Sequence, residues 1–194
     1  HDTSTLRLER ILDGVKRMTG IIDGLLVLSR STGQEGEAAK VDLGSLATEI
    51  AGDLRQQYPE RHVEISFQEG MVVFADARLM RTLLANLLEN AWKYTSGVTA
   101  PRVRFDCHSA PDGERVYEVA DNGVGFDMRF ADKLFKPFRR LHSAQDFPGM
   151  GLGLATVARI VRRYGGEIRG ESVIGQGSTF RFTLPMAAVA PEQS

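Results

Sequence analysis

ARLMRTLLANLLENAWKYT, residues 77–95, decides the reading of this chain. Leu79, Leu83, Leu87 and Ala91 recur every four residues, which sets one apolar face of an α-helix. Asn86, Asn90 and Lys93 recur at i, i+4 and i+7 and so share a second, polar face. A polar stripe beside a core stripe is either solvated or satisfied by a ligand, because polar groups buried without partners cost stability. Taken alone, the two readings stand level. Under the ligand reading, an Asn carbonyl oxygen suits Mg²⁺, which takes its other oxygens from water and phosphate, and the Lys93 ammonium neutralises phosphate charge.

Downstream of this helix come two strands, Val103 to Cys107 and Val116 to Ala120, joined through Pro111, Asp112 and Gly113. The second runs into Asp121, Asn122, Gly123, Val124 and Gly125. Glycines there permit a sharp turn and close approach of a ligand to the backbone, and an ionised Asp121 can only accept, which fits an exocyclic amine such as adenine's. A strand-ending Asp-Asn-Gly is by itself equally a plain turn. From here to about Gly151 no period is legible, and a segment of that length is expected to be functional. Gly149, Met150, Gly151, Leu152 and Gly153 then lead into a helix with Leu154, Val157, Ala158, Val161 and Tyr164 on one face and Gly165 as its stop. Amide groups at such a helix start, aided by the helix dipole, suit phosphate. The turn lacks the GK and Ser/Thr of a P-loop and does not follow a strand closely enough for a dinucleotide fold. A last hairpin, Glu167 to Glu171 and Ser178 to Leu184 around Gly175 and Gly177, completes a mixed sheet covered on one face by helices.

Upstream, Asp42 reads as an N-cap for a helix marked by Leu43, Leu46, Ile50 and Leu54, followed by a strand at Val63, Ile65 and Phe67 and another at Met71 to Phe74. Ser31 to Lys40 has neither period nor bulk and reads as a linker. Before it, Leu8, Ile11, Val15, Met18, Ile22 and Leu25 alternate spacings of three and four, an a/d seam. Leu12, Ile21, Leu26 and Leu28 widen that face, so a four-helix bundle completed by a second chain fits better than a two-stranded zipper; an amphipathic helix on its own domain is the alternative.

Bulk composition agrees with one cored domain plus an appendage. The 194 residues are 42% hydrophobic and 25% charged, and 24 basic against 25 acidic side chains leave a net charge of -1. No global field therefore favours a nucleic-acid backbone or an anionic membrane. Cys107 is the only cysteine, which excludes an intrachain disulfide and fits a reducing compartment; it reads as a small side chain on a strand. No apolar run reaches the ~18 to 20 residues needed to cross a bilayer, and no signal-peptide core is present, so this stretch is expected to be soluble and cytoplasmic without direct membrane contact of its own, with the full-length protein either soluble or membrane-attached upstream.

In this order and spacing the elements resemble the catalytic domain of sensor histidine kinases, within the wider ATPase group of gyrase, Hsp90 and MutL. The resemblance spans residues 41 to 185. NLLENAWKYT at Asn86 to Thr95 is similar to the N box, and DNGVGF at Asp121 to Phe126 to the first glycine box. LFKPF at Leu134 to Phe138 is similar to the phenylalanine box, GMGLGL at Gly149 to Leu154 to the second glycine box, and GQGSTF at Gly175 to Phe180 to the last. What this implies is an α+β, two-layer Bergerat sandwich that binds ATP and Mg²⁺ under a mobile lid, preceded by a coiled-coil-like helix.

Residue by residue, the resemblance implies that Asn90 holds Mg²⁺, that Asn86 and Lys93 meet the phosphates, and that these three carry the catalysis. Tyr94 would line the nucleotide pocket and Asp121 would read the adenine amine. Gly123, Gly125, Phe126, Gly149, Gly151, Leu152, Gly153, Leu154 and Thr179 would complete the nucleotide site. Phe135 and Phe138 would anchor the lid, which carries Arg139, Arg140 and His142; the RLH within it is similar to PAS-linked and phytochrome-type kinases. For these three a solvated surface is an equal reading.

The resemblance further implies an enzyme that transfers the γ-phosphoryl group to a histidine for relay to a response-regulator receiver domain. Residues 1–30 are similar to the second helix of the dimerisation and phosphotransfer domain, so a homodimer through that helix is expected. Residues 31–40 would be linker, 41–186 the catalytic domain and 187–194 a flexible tail. His1-Asp2 imitates the acceptor motif but lies too close to Leu28, since 27 residues at ~1.5 Å each cannot hold two antiparallel helices and a turn; the acceptor is not expected to be His1. The rival functions are an ATP hydrolase and a non-catalytic nucleotide-binding or dimerisation module. Hydrolases of the group place a water-activating Glu where this chain has Asn86.

Overall fold

The computed structural model describes residues 37–139, 141, 147 and 150–187. The N-terminal seam, His1, most of the expected linker, Arg140, His142, Gly149 and the tail from residue 188 lie outside the described residues.

Two layers make up the described chain. Strands β1 (Ala39–Asp42), β2 (Glu64–Phe67), β3 (Val72–Ala75), β4 (Arg102–Ser109), β5 (Arg115–Asp121), β6 (Ile168–Val173) and β7 (Gly177–Thr183) alternate with helices α1 (Leu43–Gln57), α2 (Ala77–Tyr94) and α3 (Gly153–Arg163). Five strands form a sheet in the order β2-β4-β5-β7-β6, with β2 parallel to β4 and every other pair antiparallel. β1 and β3 form a separate antiparallel pair, Ala39 opposite Ala75.

Each helix starts where its sequence provides a stop for free N–H groups. Asp42 accepts from Gly44 and Ser45 at 2.9 and 3.1 Å, and Asp76 accepts from Arg78 at 2.9 Å. α3 is different, since Leu152 at its N-cap offers no side-chain acceptor and its leading amides find no side-chain cap. What holds the helices is burial on the sheet. Met80, Leu83, Leu84, Leu87, Leu88, Ala91 and Trp92 of α2 are buried against a core that includes Phe105, Tyr117, Val119 and Phe182. Each large apolar side chain so placed contributes about 1.5 to 3 kcal/mol, far more than the few tenths that helix propensity varies by.

Strand alternation sends Tyr117, Val119 and Asp121 of β5 to the helix-covered face and Glu118 to the other. There Glu118, 8% exposed, is held between Arg104 and Arg181 at 2.6 Å each. A carboxylate at that burial is tolerable because two guanidiniums pair it.

Several sequence expectations shift. Ala39 and Lys40, read as linker, are already strand, since they pair with Ala75 and Phe74. Ala187, assigned to the tail, is fully buried. Within the expected structureless segment, Met128–Lys133 forms a short 3-10 helix started by Asp127, which accepts from Arg129 N at 2.9 Å; none of its residues is buried, so no apolar period announced it. On α3, Val157, Ala158 and Val161 of the expected stripe are buried and Leu154 and Tyr164 pack half-buried on the core, with Ala155, Thr156 and Ile160 buried in addition.

Candidate functional site

The polar stripe of α2 faces the start of α3. Asn86 is half-buried, and its Nδ2 donates to Thr82 O at 2.8 Å, which fixes the amide and leaves Oδ1 toward Gly153. A Cβ added at Gly153 would lie 2.5 Å from that Oδ1, so the two elements meet at a point where only glycine leaves the amide in place. Asn90, one turn further on the same face, is half-buried, and its side chain forms no hydrogen bond with any described residue. Beyond it Lys93 Nζ lies over the Tyr94 ring, 4.4 Å from its centroid, and Tyr94 meets the edge of Phe147 at 5.0 Å and 60°.

Asp121 is brought to the same end of α2. Tyr94 O accepts from Val124 N at 3.1 Å, and a Cβ at Gly123 would lie 2.4 Å from Tyr94 O and 2.8 Å from Asp121 Oδ1. The turn after β5 is thus docked on the last turn of the helix. The close approach that demands a glycine at 123 is to the protein's own carbonyl, where the sequence pointed to a ligand. Gly125 has the same reason: it sits at φ 65, and a Cβ there would meet Val173 O at 2.3 Å.

Asp121 Oδ1 accepts from Gly123 N at 2.8 Å. Burial raises its pKa to about 6, and the backbone N–H groups of Gly123 and Ser178 pull against that rise. Such a carboxylate is ionised at neutral pH yet poorly solvated, and so is ready to accept a hydrogen bond from a ligand.

Three expected site residues move. Phe126 is buried at 6% exposure in the core beside Phe180, at 6.1 Å, so its ring packs the fold while its N–H donates to Ser172 Oγ. Thr179 shares a strand face with Arg181, opposite to Asp121; the residue paired with Asp121 is Ser178, buried at 6%. A one-residue shift along a strand flips the face, and the Ser-Thr pair at 178–179 offered two hydroxyls to choose from. Phe138 does not anchor by its ring, which is 65% exposed at φ 60. Its backbone does the tying: Phe138 N donates to Gly151 O at 3.0 Å, and Gly151, at φ 71, lies against Arg139 O. Phe135, expected to anchor the lid, is partly buried and packs against the core. Leu152 is buried and Leu154 half-buried against the same core.

Among the described residues no cluster of three or more His, Cys, Asp or Glu could hold a metal by itself. An amide site completed by a ligand's own oxygens is the chemistry that the α2 face offers. Gly153→Ala tests the meeting of α2 and α3: Ala is the better helix former, so stability should hold or rise, whereas displacement of Asn86 should weaken nucleotide binding about tenfold by calorimetry.

A two-layer sheet with an amide face, a strand-end carboxylate and an uncapped glycine-led helix defines a nucleotide-binding ATPase domain, and the chain belongs to the histidine kinase-, DNA gyrase B-, and HSP90-like ATPase family, whose model matches residues 75–188. Within that family its relatives include sensor histidine kinases, to whose ATP-binding domains it is similar. It is 33% identical over 175 residues to cyanobacterial phytochrome A of a Nostoc species, covering 90% of this chain and 23% of that protein. Sensor histidine kinase TrcS of Mycobacterium tuberculosis is 35% identical over 189 residues, 95% of this chain and 37% of its own. The chain thus spans well under half the length of these curated relatives. In fold it is similar to full-length ShkA, solved in complex with AMPPNP, with a TM-score of 0.76 at 24% identity over 98% of this chain and 40% of that one. The mycobacterial sensor histidine kinase MprB superimposes with a TM-score of 0.65 at 24% identity, over 78% of this chain and all of the other. Among the described residues no helix is long and apolar enough to cross a membrane.

Proposed function

We propose that this domain transfers the γ-phosphoryl group of ATP to a histidine on a paired dimerisation helix, for relay to a receiver-domain aspartate. The observation that carries the reading is the meeting of Asn86 with the start of α3 at one end of the α2 face and the docking of the turn after Asp121 on the Tyr94 carbonyl, through Val124 N, at the other. Adenine would be read by the Asp121 carboxylate. The triphosphate would then run along the α2 face toward the uncapped amides of α3, with Lys93 supplying positive charge.

Asn90 would hold Mg²⁺ through its amide oxygen, and an unpaired, half-buried amide fits an ion that takes its remaining ligands from phosphate and water. Bound there, the ion would neutralise charge on the phosphates. The chain's own part is to position and neutralise, which is the larger share of catalysis in phosphoryl transfer. Asn86 stands where a hydrolase needs a base; an amide cannot take a proton from water, so transfer is favoured over hydrolysis.

The reading extends to a homodimer formed through the apolar seam of residues 8–28 and to a cytoplasmic setting, supported by the seam's spacing and by a single cysteine. Its test is incubation with γ-labelled ATP, with and without a separate polypeptide carrying an acceptor-histidine helix. Acid-labile label on the added polypeptide is the expected result. Steady phosphate release with no transfer would show a hydrolase instead.

A further inference from the structure

The last turn of α2 carries Lys93 and Tyr94, and it is held both by bonds within the helix and by residues distant in sequence. Trp92, 3% exposed, has no partner for its Nε1 among the described residues, so no hydrogen bond from the ring orients the indole. Thr95, fully buried, donates back to Ala91 O and Trp92 O at 2.8 and 3.0 Å. One hold from outside the helix comes from Arg61, which stands 31 residues before Trp92, and outside residues 75–188 that match the family. Its guanidinium donates to Trp92 O and to Thr95 Oγ1, the latter at 3.3 Å, and lies over the Trp92 ring at 5.5 Å. The loop that presents it is closed by Arg61 N donating to Tyr58 O at 3.0 Å.

This is a fork of two hydrogen bonds and a stacked cation on the negative end of one helix, a geometry that only Arg supplies. On the opposite flank, the same turn receives Val124 N at Tyr94 O. We infer that Arg61 is a positioning residue of the nucleotide site: it locks the end of α2 so that Lys93, Tyr94 and the docked Asp121 turn keep one geometry. Without the fork, Trp92 O and Thr95 Oγ1 lose their partner outside the helix and the Trp92 ring loses its stacked cation. Lys93 and Tyr94 then sample orientations that bind nucleotide less well.

The inference rests on the nucleotide site proposed above, and the wild type tests that site by itself. Mg²⁺-ATP is titrated calorimetrically into the 194-residue chain as wild type, Arg61→Ala, Arg61→Lys and, as a destabilised control, Ile50→Val on buried α1. Arg61→Ala should bind about tenfold more weakly, and Arg61→Lys about threefold, because charge remains but the fork is gone. Ile50→Val should unfold at lower temperature with affinity unchanged. Trp92 is the only tryptophan, so its emission reports the same turn: it should shift in both Arg61 variants, and its response to nucleotide should shrink. Wild-type affinity and emission in Arg61→Ala, measured below its unfolding temperature, would overturn the role; should Arg61→Ala not fold, the same result in Arg61→Lys does so. A wild type that binds no nucleotide would remove the site and this role together, whereas binding that ignores Arg61 would remove the role alone.

Discussion

Replacing Asp121 by Asn is expected to weaken ATP binding about tenfold to a hundredfold while making the nucleotide-free domain more stable at pH 8. The two effects share one cause. Burial raises the carboxyl to about 6, so at neutral pH the fold carries an ionised group that it solvates poorly. A carboxylate with a raised pKa adds stability below its unfolded value near 3.8, and that contribution is lost as pH rises through about 6. Asn stays neutral throughout and keeps an oxygen for Gly123 N, so it should raise the unfolding midpoint at pH 8 by a few degrees and give no advantage below pH 4. Binding moves the other way, because the ionised acceptor for the ligand's amine is gone; a hydrogen bond to a charged group is worth about 1.5 to 3 kcal/mol. Preference for ATP over GTP should shrink with it. In the wild type, affinity should fall as pH drops below about 6. Calorimetry and thermal unfolding at pH 4, 6 and 8 check both halves, and a variant that binds ATP normally would show that Asp121 faces no adenine.

Asn90→Ala is the second large effect, and its signature is the metal. The Asn90 side chain makes no hydrogen bond with any described residue, so truncation removes no partner and should leave the unfolding temperature nearly unchanged. If its amide oxygen holds Mg²⁺, affinity measured with Mg²⁺ should fall at least about a hundredfold, to near the value that the wild type shows in chelator. The variant should then be indifferent to added Mg²⁺. An Mg²⁺ response equal to wild type would place the ion elsewhere.

The elements themselves were largely open to sequence reading, because periodicity and caps act locally. Asp42 sits one residue before an apolar stripe and caps its helix as read, whereas the cap at Asp76, three residues before Leu79, was not read. The 3-10 helix at Met128–Lys133 buries nothing, so it left no stripe to find. β1 has a single buried residue, Val41, and its pairing with β3 depends on residues 30 to 36 positions away. Phe126 and Thr179 were assigned to the site from their place in a motif; the direction of each side chain, set by the core and by strand register, is different. Arg61 carried no signal at all, since its partners are two atoms at the end of a helix far along the chain.

By itself the sequence determined which residue types form each element and which chemistry they can support: amides and an ammonium on one helix, a carboxylate at a strand end, glycines before a helix. Those follow from spacing along one segment, and a segment's period is fixed by its own backbone geometry. Only the tertiary structure decided that Tyr94 O receives the turn after Asp121, that Gly153 rests on Asn86, and that Ser178, not Thr179, faces the carboxylate. Contacts between segments distant in sequence depend on how the sheet and helices pack, and packing is a property of the whole core.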